Sequence, residues 1–250
     1  MIKPQTILIT GTTSGIGRAL LERYQKDAIR VIAVNRRSVS EEPQKNVEYH
    51  VIDISNQKEV STLFDNLIAR SIIPDIFILN AGIAKIDNSS KFNLTTFKEV
   101  FNINFLGVMT FVHEIQHRAL KHKTIFSASS CSNFVANPLQ LGYHISKLNL
   151  QKSFRIFRRS DRFNVYKTAI LGPVITSMTG SSRHKGYKKF VFSHLLVTVD
   201  QVAESIVRFI QRKGHTLYYP YRSVLIYFVG SLVLSLLPGL YSGNPGDPKG

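Results

Sequence analysis

The chain has 250 residues, 44% of them hydrophobic, and a single cysteine, Cys131; this composition excludes a disordered protein and a disulfide-stabilised secreted scaffold. The net charge of +16 is uneven, because residues 121–250 carry 18 Lys and Arg against four acids, whereas residues 1–120 are nearly balanced. A basic half of this kind attracts nucleic acid, anionic lipid or anionic substrates, or else forms a solvated surface without a dedicated partner.

Short apolar runs alternate with helical repeats along most of the chain. Strands are predicted at residues 6–10, 31–35, 47–53, 76–80, 124–129, 164–171 and 215–219. Helices are predicted at residues 15–26, 57–70, 95–122, 143–159 and from a capping box at 198–201 to about 213. The alternation predicts an α/β fold, a single Rossmann-like doubly wound parallel sheet of about seven strands with helices on both faces. Because the first strand begins so close to Met1, we expect no signal peptide.

The chain divides by composition into three parts. Residues 1–222 form the predicted nucleotide-binding and catalytic domain, residues 223–241 an apolar C-terminal segment, and residues 242–250 a Gly- and Pro-rich flexible tail. Within the domain, residues 176–192 are polar and basic, which predicts a loop or flap over a pocket.

The C-terminal segment has an uncharged run from Val224 to Leu237. This run is shorter than the roughly 20 residues that usually span a bilayer. Three interpretations stay open: a helix lying in the interface of an anionic membrane, a helix packed between subunits, and a tilted span from Ser223 to Tyr241.

A glycine-rich turn, Thr10 to Gly17, follows the first strand and opens the first helix. Backbone N–H groups at a helix N-terminus bind phosphate, and glycines allow the close approach of backbone and ligand. The turn therefore predicts a site for the pyrophosphate of a dinucleotide.

Tyr143 and Lys147 lie four residues apart on a predicted helix, so they share one helix face. A lysine ammonium near a phenol favours the phenolate, so we expect Lys147 to lower the pKa of Tyr143. A phenol tuned in this way is a suitable proton donor for the reduction of a carbonyl near neutral pH.

Taken together, the motifs resemble those of the short-chain dehydrogenase/reductase family. From Thr6 to Tyr219 the chain carries TGxxxGxG at Thr10–Gly17, NAG at Asn80–Gly82 and YxxxK at Tyr143–Lys147. The family's serine, thirteen residues before the tyrosine, is Ser130, and its asparagine is Asn104. One departure is Leu171–Val174, which reads Leu-Gly-Pro-Val where the family usually has Pro-Gly.

The resemblance implies a role for each matched residue. Tyr143 would exchange a proton with the substrate oxygen, Ser130 would donate a hydrogen bond to that oxygen, Lys147 would also hold the nicotinamide ribose, and Asn104 would hold a water that links Lys147 to solvent. The predicted catalytic set is Asn104, Ser130, Tyr143 and Lys147. The predicted cofactor-binding set is Gly11, Thr13, Ser14, Gly15, Ile16, Gly17, Arg36, Arg37, Asp53, Ile54, Asn80, Ala81, Gly82, Tyr143, Lys147, Val174 and Thr176.

The residues after the second strand select the form of the cofactor. An acid at this position would bind a ribose 2′-hydroxyl and repel a 2′-phosphate, but the chain has Asn35, Arg36 and Arg37. Two guanidinium groups suit a phosphate, which predicts NADP(H). Asp53 matches the family's adenine-contacting acid; the alternative is a carboxylate that only caps a turn.

His113, Glu114 and His117 match the HExxH pattern of zinc proteases. A catalytic zinc needs a third protein ligand, and neither downstream zincin spacing is present. We therefore expect no metal, and a polar helix face with two solvated or subunit-facing histidines.

The sequence thus predicts an NADP(H)-dependent oxidoreductase that interconverts a carbonyl and a secondary alcohol on a hydrophobic, lipid- or steroid-like substrate. The alternative is a cofactor-binding regulator whose basic face binds an anionic membrane, nucleic acid or a partner protein; no nucleic-acid motif accompanies the charge, so no specific nucleic acid is expected. We expect a cytoplasmic homodimer or homotetramer, with the C-terminal segment as a peripheral membrane contact.

Overall fold

A computed structural model describes residues 4–27, 29–39, 45–86, 92–134, 140–175 and 196–236. Thr176, the flap predicted at residues 176–192 and the tail at 242–250 lie outside these ranges.

Seven parallel strands form one sheet in the order β3-β2-β1-β4-β5-β6-β7. Their bounds are β1 Thr6–Thr10, β2 Arg30–Asn35, β3 Val47–Val51, β4 Ile76–Leu79, β5 Thr124–Ser130, β6 Val165–Leu171 and β7 Thr216–Tyr219. The predicted Rossmann-like sheet is confirmed, and the differences are confined to strand ends. β3 is two residues shorter than predicted, and its pairing with β2 ends at Val51.

Helices cover both faces of the sheet. Their bounds are α1 Gly15–Lys26, α2 Gln57–Ala69, α3 Leu94–Phe101, α4 Gly107–His117, α5 Leu141–Ser160, α6 Val199–Gln211 and α7 Tyr221–Leu236. On one face the core packs against α1 and α6, and on the other against α2, α4 and α5. The predicted capping box at the start of α6 is present, with Thr198 and Gln201 bonding each other's backbone N–H groups.

The single long helix predicted at residues 95–122 is wrong in two respects. A π-helical turn at Asn102–Leu106 separates α3 from α4, and α4 ends at His117. After it Ala119 and His122 have positive φ, of 52° and 60°. Glycine usually occupies this left-handed conformation, and because the sequence has none here, nothing marked the helix end.

The apolar C-terminal segment forms α7, which packs against the 3₁₀ turn Cys131–Phe134 and the end of β6. Cys131, Ile170 and Val224 form a small buried cluster there, joined by Phe134 and Tyr227. No helix within the described ranges combines the length and the apolar character needed to cross a bilayer.

Part of the positive charge of the C-terminal half is structural. Arg158 on α5 donates hydrogen bonds to the backbone of Tyr166 and His215 and to the hydroxyls of Thr168 and Thr216. This guanidinium therefore links α5 to two neighbouring strands. It is a function that the charge count alone did not reveal.

The carboxyl ends of the parallel strands share one edge of the sheet. Gly11 follows β1, Arg36 follows β2, Asn80 follows β4, Ser130 ends β5 and Gly172 follows β6. In open α/β sheets ligands bind at this edge, where the strand order reverses between β1 and β4. The topology therefore collects the separated sequence motifs at one place.

Candidate active site

The glycine-rich turn is packed against the Asn80–Gly82 segment at the gap between β1 and β4. Gly11 has a φ of +74°, and a Cβ there would lie 2.8 Å from the Cα of Ala81. A Cβ on Gly17 would lie 2.0 Å from the carbonyl oxygen of Gly11. The N–H of Ala81 donates to the Thr10 hydroxyl over 3.0 Å. These contacts leave no room for a side chain on the protein side of the turn.

Asn35, the last residue of β2, holds the turn from the other side. Its Oδ1 accepts from the N–H of Thr12 over 2.7 Å, and its Nδ2 donates to the Thr12 hydroxyl over 2.9 Å. In the sequence, Asn35 was notable only because it is not an acid at the position that selects the cofactor. Because both Asn35 and Thr12 are buried, the pair fixes the turn rather than contacting a ligand.

The start of α1 retains free anion-binding capacity. Ser14 is its N-cap residue, but the Ser14 side chain makes no capping hydrogen bond, and the first turn contains no acid. Thr13 and Ser14 are exposed, Gly15 has a φ of +57°, and Ile16 packs its side chain on the core. Without a side-chain cap or an acid, the amides of this first turn are available to an anion such as a phosphate group.

Arg36 and Arg37 are exposed beside the turn. Neither guanidinium forms a hydrogen bond or ion pair with another residue of the described ranges. By contrast, Arg30 and Arg70 both pair with Glu48, whose pKa is lowered to about 2, mainly by its hydrogen bond with Arg70. The two arginines after β2 thus differ from the paired arginines nearby.

At the end of β3 the two predicted adenine contacts have structural tasks. Asp53 Oδ1 accepts from both the N–H and the hydroxyl of Ser55, over 2.9 and 2.6 Å, as in the turn-capping alternative. The side chain of Ile54 is buried, and a Cβ on Gly107 would lie 2.9 Å from its Cδ1. The groups that remain available to a ligand are the backbone of Ile54 and the second carboxylate oxygen of Asp53, Oδ2.

Asn104 lies on the π-helical turn and joins two parts of the site. Its Oδ1 accepts from the N–H of Ile83 over 2.8 Å, and its Nδ2 donates to the Ile83 carbonyl and to the Ser146 hydroxyl. Ser146 in turn donates to the carbonyl of Tyr143 over 2.7 Å. The fully buried Asn104 therefore ties the segment after Gly82 to the helix that carries Tyr143. Its predicted water stays a prediction.

Ser130 and Tyr143 meet at the end of β5. The two side chains are hydrogen-bonded, and this bond lowers the pKa of Tyr143. Burial of the phenol has the larger effect, and it raises the pKa of Tyr143 above its ordinary value. The predicted lowering of the Tyr143 pKa is therefore wrong for this geometry, because burial raises this pKa more than the hydrogen bond with Ser130 lowers it.

Lys147 is buried beside the tyrosine. Its Nζ donates to the Ala128 carbonyl over 2.9 Å and lies 5.9 Å from the centroid of the Tyr143 ring. Burial lowers the pKa of Lys147 to about 8. A Cβ on Gly82 would lie 3.6 Å from this nitrogen, so the lysine also faces the Asn80–Gly82 segment.

Two further interactions around the catalytic residues were not anticipated. Ser129 donates to the carbonyl of Lys147 over 2.9 Å and accepts from Asn133 over 2.9 Å. His144 Nδ1 lies 2.8 Å from the Ser132 carbonyl oxygen, which connects the tyrosine helix to the turn after Ser130. No sequence signal distinguishes these residues, because they act through packing across the fold.

After the end of β6, Val174 is buried and pairs with Val197 in an isolated parallel bridge. Gly172 is packed against α7, since a Cβ there would lie 2.8 Å from the Cβ of Ser223. The departure from the family pattern at Leu171–Val174 therefore lies where the sheet meets the C-terminal helix.

The HExxH pattern is divided between two environments. His113 and His117 are exposed and stack with ring centroids 5.4 Å apart. Glu114 points inward, is buried and pairs with Arg118 at 2.9 Å. Within the part of the chain that the structure describes, no three His, Cys, Asp or Glu side chains form a group that could hold a metal.

The site residues fit a dinucleotide cofactor. The turn has glycines where the backbone packs most closely, and the N-cap side chain of α1 makes no capping hydrogen bond. Beside the turn are two exposed guanidinium groups that have no partner among the described residues. Tyr143, Ser130 and Lys147 lie at the same edge of the sheet. The arrangement can bind a dinucleotide and place a proton donor next to it.

Comparison with known proteins gives a consistent result. A family model described as short chain dehydrogenase matches residues 5–186. Dehydrogenase RED2 of Cochliobolus heterostrophus is 26% identical over 150 residues, which are 58% of this chain and 57% of that protein. The chain spans between 51% and 57% of the length of the first two curated relatives it matches.

Two other similarities extend further along the chain. The 3-oxoacyl-acyl-carrier-protein reductase FabG of Buchnera aphidicola is 22% identical over 237 residues, covering 87% of this chain and 96% of that protein. The structure of a 4-hydroxyisoleucine dehydrogenase complexed with NADH aligns with a TM-score of 0.74 at 19% identity, covering 86% of this chain and 96% of that one. At this identity the structural likeness shows the shared fold.

Proposed function

The chain belongs to the short-chain dehydrogenase family, and from this premise we propose that it is an oxidoreductase that interconverts a carbonyl and a secondary alcohol using NADP(H). The observation that carries the proposal is the convergence of Ser130, Tyr143 and Lys147 beside the glycine-rich turn. A nucleotide-binding turn alone would suit a regulator as well as an enzyme. A buried, serine-bonded phenol next to a buried lysine is the arrangement of an acid–base catalyst.

The protein's residues supply the proton and the oxyanion contact. Bound NADP(H) supplies or accepts the hydride. Tyr143 gives its proton to the carbonyl oxygen in reduction and takes it back in oxidation. Ser130 donates a hydrogen bond to the same oxygen, where negative charge grows in the transition state. Burial raises the pKa of the Tyr143 phenol, and its hydrogen bond with Ser130 opposes this rise.

Lys147 has a distinct part in the mechanism. Its ammonium form stabilises the phenolate that remains after proton transfer, because the two groups share a site that water does not screen. With a pKa of about 8, the amine carries its charge at neutral pH. Its Nζ also faces the Asn80–Gly82 segment, where the resemblance to the family places the nicotinamide ribose.

The preference for NADP(H) rests on Arg36 and Arg37. Both are exposed, have no partner within the described ranges and follow β2, with no acid at that position. A guanidinium pair binds a 2′-phosphate with charge-assisted hydrogen bonds. A protein of the same fold has been solved with NADH, so the fold by itself does not require NADP(H). In this proposal the selection comes from the two arginine side chains.

A hydrophobic substrate is supported by the wall next to Ser130. The 3₁₀ turn that follows Ser130 presents Cys131 and Phe134 to α7, whose Tyr227 and Phe228 are packed against them. This side of the site is built from apolar and aromatic groups. A 3-oxoacyl-acyl-carrier-protein reductase among the relatives is consistent with a substrate that carries an apolar chain.

The substitution Tyr143→Phe tests the proposed chemistry. The ring and its packing are retained and only the proton donor is lost, so we expect turnover to fall by about 10²–10⁴-fold, the usual contribution of a positioned acid. NADPH affinity, measured by quenching or transfer of nucleotide fluorescence, should stay close to wild type. Turnover is assayed with a panel of hydrophobic ketones as NADPH oxidation, and near-wild-type turnover by the variant would refute the assigned role of Tyr143.

A further inference from the structure

The described part of helix α7 presents an apolar face, instead of a polar one, to solvent. Its inner face contains Ser223, which is fully buried, together with half-buried Tyr227 and Ser231. Its outer face is apolar, with exposed fractions between 43% and 52% at Leu225, Ile226, Phe228 and Val229. A surface helix in water places polar residues outward and apolar residues inward. The outer face of α7 therefore suits a medium less polar than water.

The exposed side chains form one contiguous apolar surface. They follow each other at positions 225, 226, 228 and 229, and Tyr221, which is 66% exposed, extends the surface toward the start of the helix. Arg222 is the only charged residue of α7. Exposed apolar patches of this kind mark interaction sites rather than solvated surface.

Charge distinguishes between the two classes of occupant. The chain has a net charge of +16 and no acidic residue between Glu204 and Asp247. A second copy would bring the same positive excess to the contact and would be repelled, whereas an anionic bilayer would be attracted. We propose that the outer face of α7 lies in the headgroup region of an anionic membrane.

The length of the helix fits this orientation. Sixteen residues make a helix of roughly 24 Å, shorter than the roughly 30 Å of a bilayer's hydrocarbon core. The inner face is also fixed to the protein, through Val224 and Tyr227, which pack in the cluster with Cys131 and Ile170. The described part of the helix, Tyr221–Leu236, therefore suits an orientation along the interface.

One consequence rests on the proposed function. Because α7 packs on the turn that directly follows Ser130, a membrane bound at its outer face lies close to the catalytic edge of the sheet. An apolar substrate could then pass between the bilayer and the site without entering water.

Vesicle flotation tests the proposal with the full chain. Vesicles of phosphatidylcholine containing phosphatidylserine should carry the wild-type protein, and vesicles of phosphatidylcholine alone should carry much less. The variant Ile226→Glu with Val229→Glu places two carboxylates on the outer face, and we expect the bound fraction to fall about tenfold. The control Ile73→Glu with Ile156→Glu makes the same change in charge at exposed apolar residues outside α7 and should float like wild type.

Circular dichroism melting verifies that the variants are folded. If the glutamate pair does not fold, Ile226→Gln with Val229→Gln removes the apolar area without adding charge, and a clear loss of flotation is expected from it too. The proposal is overturned if the wild-type protein does not bind phosphatidylserine vesicles. It is also overturned if an outer-face variant floats like wild type. The face would instead be a subunit contact if two results occurred together. Light scattering would show a dimer that dissociates in the outer-face variants, and the wild-type protein would not bind vesicles. Because flotation needs no turnover, this result and that of Tyr143→Phe can fail separately.

Discussion

Lys147 and Lys167 are both buried lysines, but their partners differ in number. Lys147 Nζ donates to one carbonyl, that of Ala128, whereas Lys167 Nζ donates to three, those of Phe209, Arg212 and Gly214. Burying an ammonium costs free energy that hydrogen bonds recover only in part when few are made. The same substitution to methionine should therefore have opposite effects on stability at the two positions.

The substitution Lys147→Met should stabilise the protein while it removes activity. In the unfolded chain this lysine stays protonated up to its ordinary pKa of 10.5, whereas in the fold it loses its proton near about 8. Between these values the unfolded state binds more protons, so stability rises with pH; below them burial of the charge costs the fold up to about 3 kcal/mol.

We therefore expect Lys147→Met to raise the free energy of unfolding at neutral pH by about 1–3 kcal/mol and to abolish the rise above pH 8. Urea unfolding at neutral and alkaline pH measures both effects. A variant that is less stable than wild type at neutral pH would show that the bond to Ala128 outweighs the cost of burying the charge.

The replacement of Arg36 and Arg37 by alanine tests cofactor selection. If the guanidiniums bind a 2′-phosphate, the double variant should lose a few kcal/mol of NADPH affinity, the usual contribution of charge-assisted hydrogen bonds, with little change for NADH. Calorimetric titration with both nucleotides measures the difference.

The matched control replaces Arg30 and Arg70, which carry the same charge but pair with Glu48. It should change the affinity for the two nucleotides equally or not at all. Equal losses of NADPH and NADH affinity in the Arg36 and Arg37 variant would show that these arginines act through general electrostatics.

At the scale of elements, the end of α6 depends on a side chain from the sheet. Lys167 on β6 is buried, and its ammonium group donates hydrogen bonds to the carbonyls of Phe209, Arg212 and Gly214 at the helix C-terminus. A cation at this position also interacts favourably with the helix dipole. The sequence marks the helix end with Gly214 but not the lysine that holds it, because Lys167 is 42 to 47 residues earlier in the chain.

The substitution Lys167→Met should therefore destabilise the protein, by about 2–4 kcal/mol, since one buried and two partly buried carbonyls lose their donor. Amide exchange should become faster in the last turn of α6 before it changes elsewhere. Chemical denaturation and hydrogen exchange measure the two effects, and stability equal to wild type would mean that water replaces the ammonium group at these carbonyls.

The π-helical turn is the second element that the sequence did not reveal. It interrupts a helical stretch that runs from Leu94 to His117 and places Asn104 against Ile83 and Ser146. A π turn inserts one residue into the helical repeat and commonly occurs at functional sites. Apolar periodicity changes little across one added residue, so the pattern predicted a continuous helix.

For the whole molecule, the positive charge has three different uses. Lys147 is in the candidate active site, Arg158 and Lys167 donate to backbone carbonyls, and Arg36 and Arg37 are exposed beside the glycine-rich turn. A count of +16 predicts attraction to anions but cannot assign a cation to any of these uses. The assignment needs burial and partners, which are properties of the fold. The predicted homodimer or homotetramer stays a prediction.

Sequence patterns alone predicted the order of the strands, the parallel sheet and the candidate residues of the site. Apolar period and glycine placement are local properties, and TGxxxGxG, NAG and YxxxK each occupy only a few consecutive residues. Together they predicted Ser130, Tyr143 and Lys147 as one site, and the structure brings these residues together.

The tertiary structure alone decided how these residues are held and how they titrate. Asn35 fixes the turn through Thr12, burial raises the pKa of Tyr143 although Lys147 is close, and α7 turns its polar residues inward. Each of these depends on contacts between residues far apart in the chain and on the exclusion of water. Long-range contacts and the exclusion of water cannot be predicted from a local sequence pattern, because they arise only when the sheet and its helices have packed around the site.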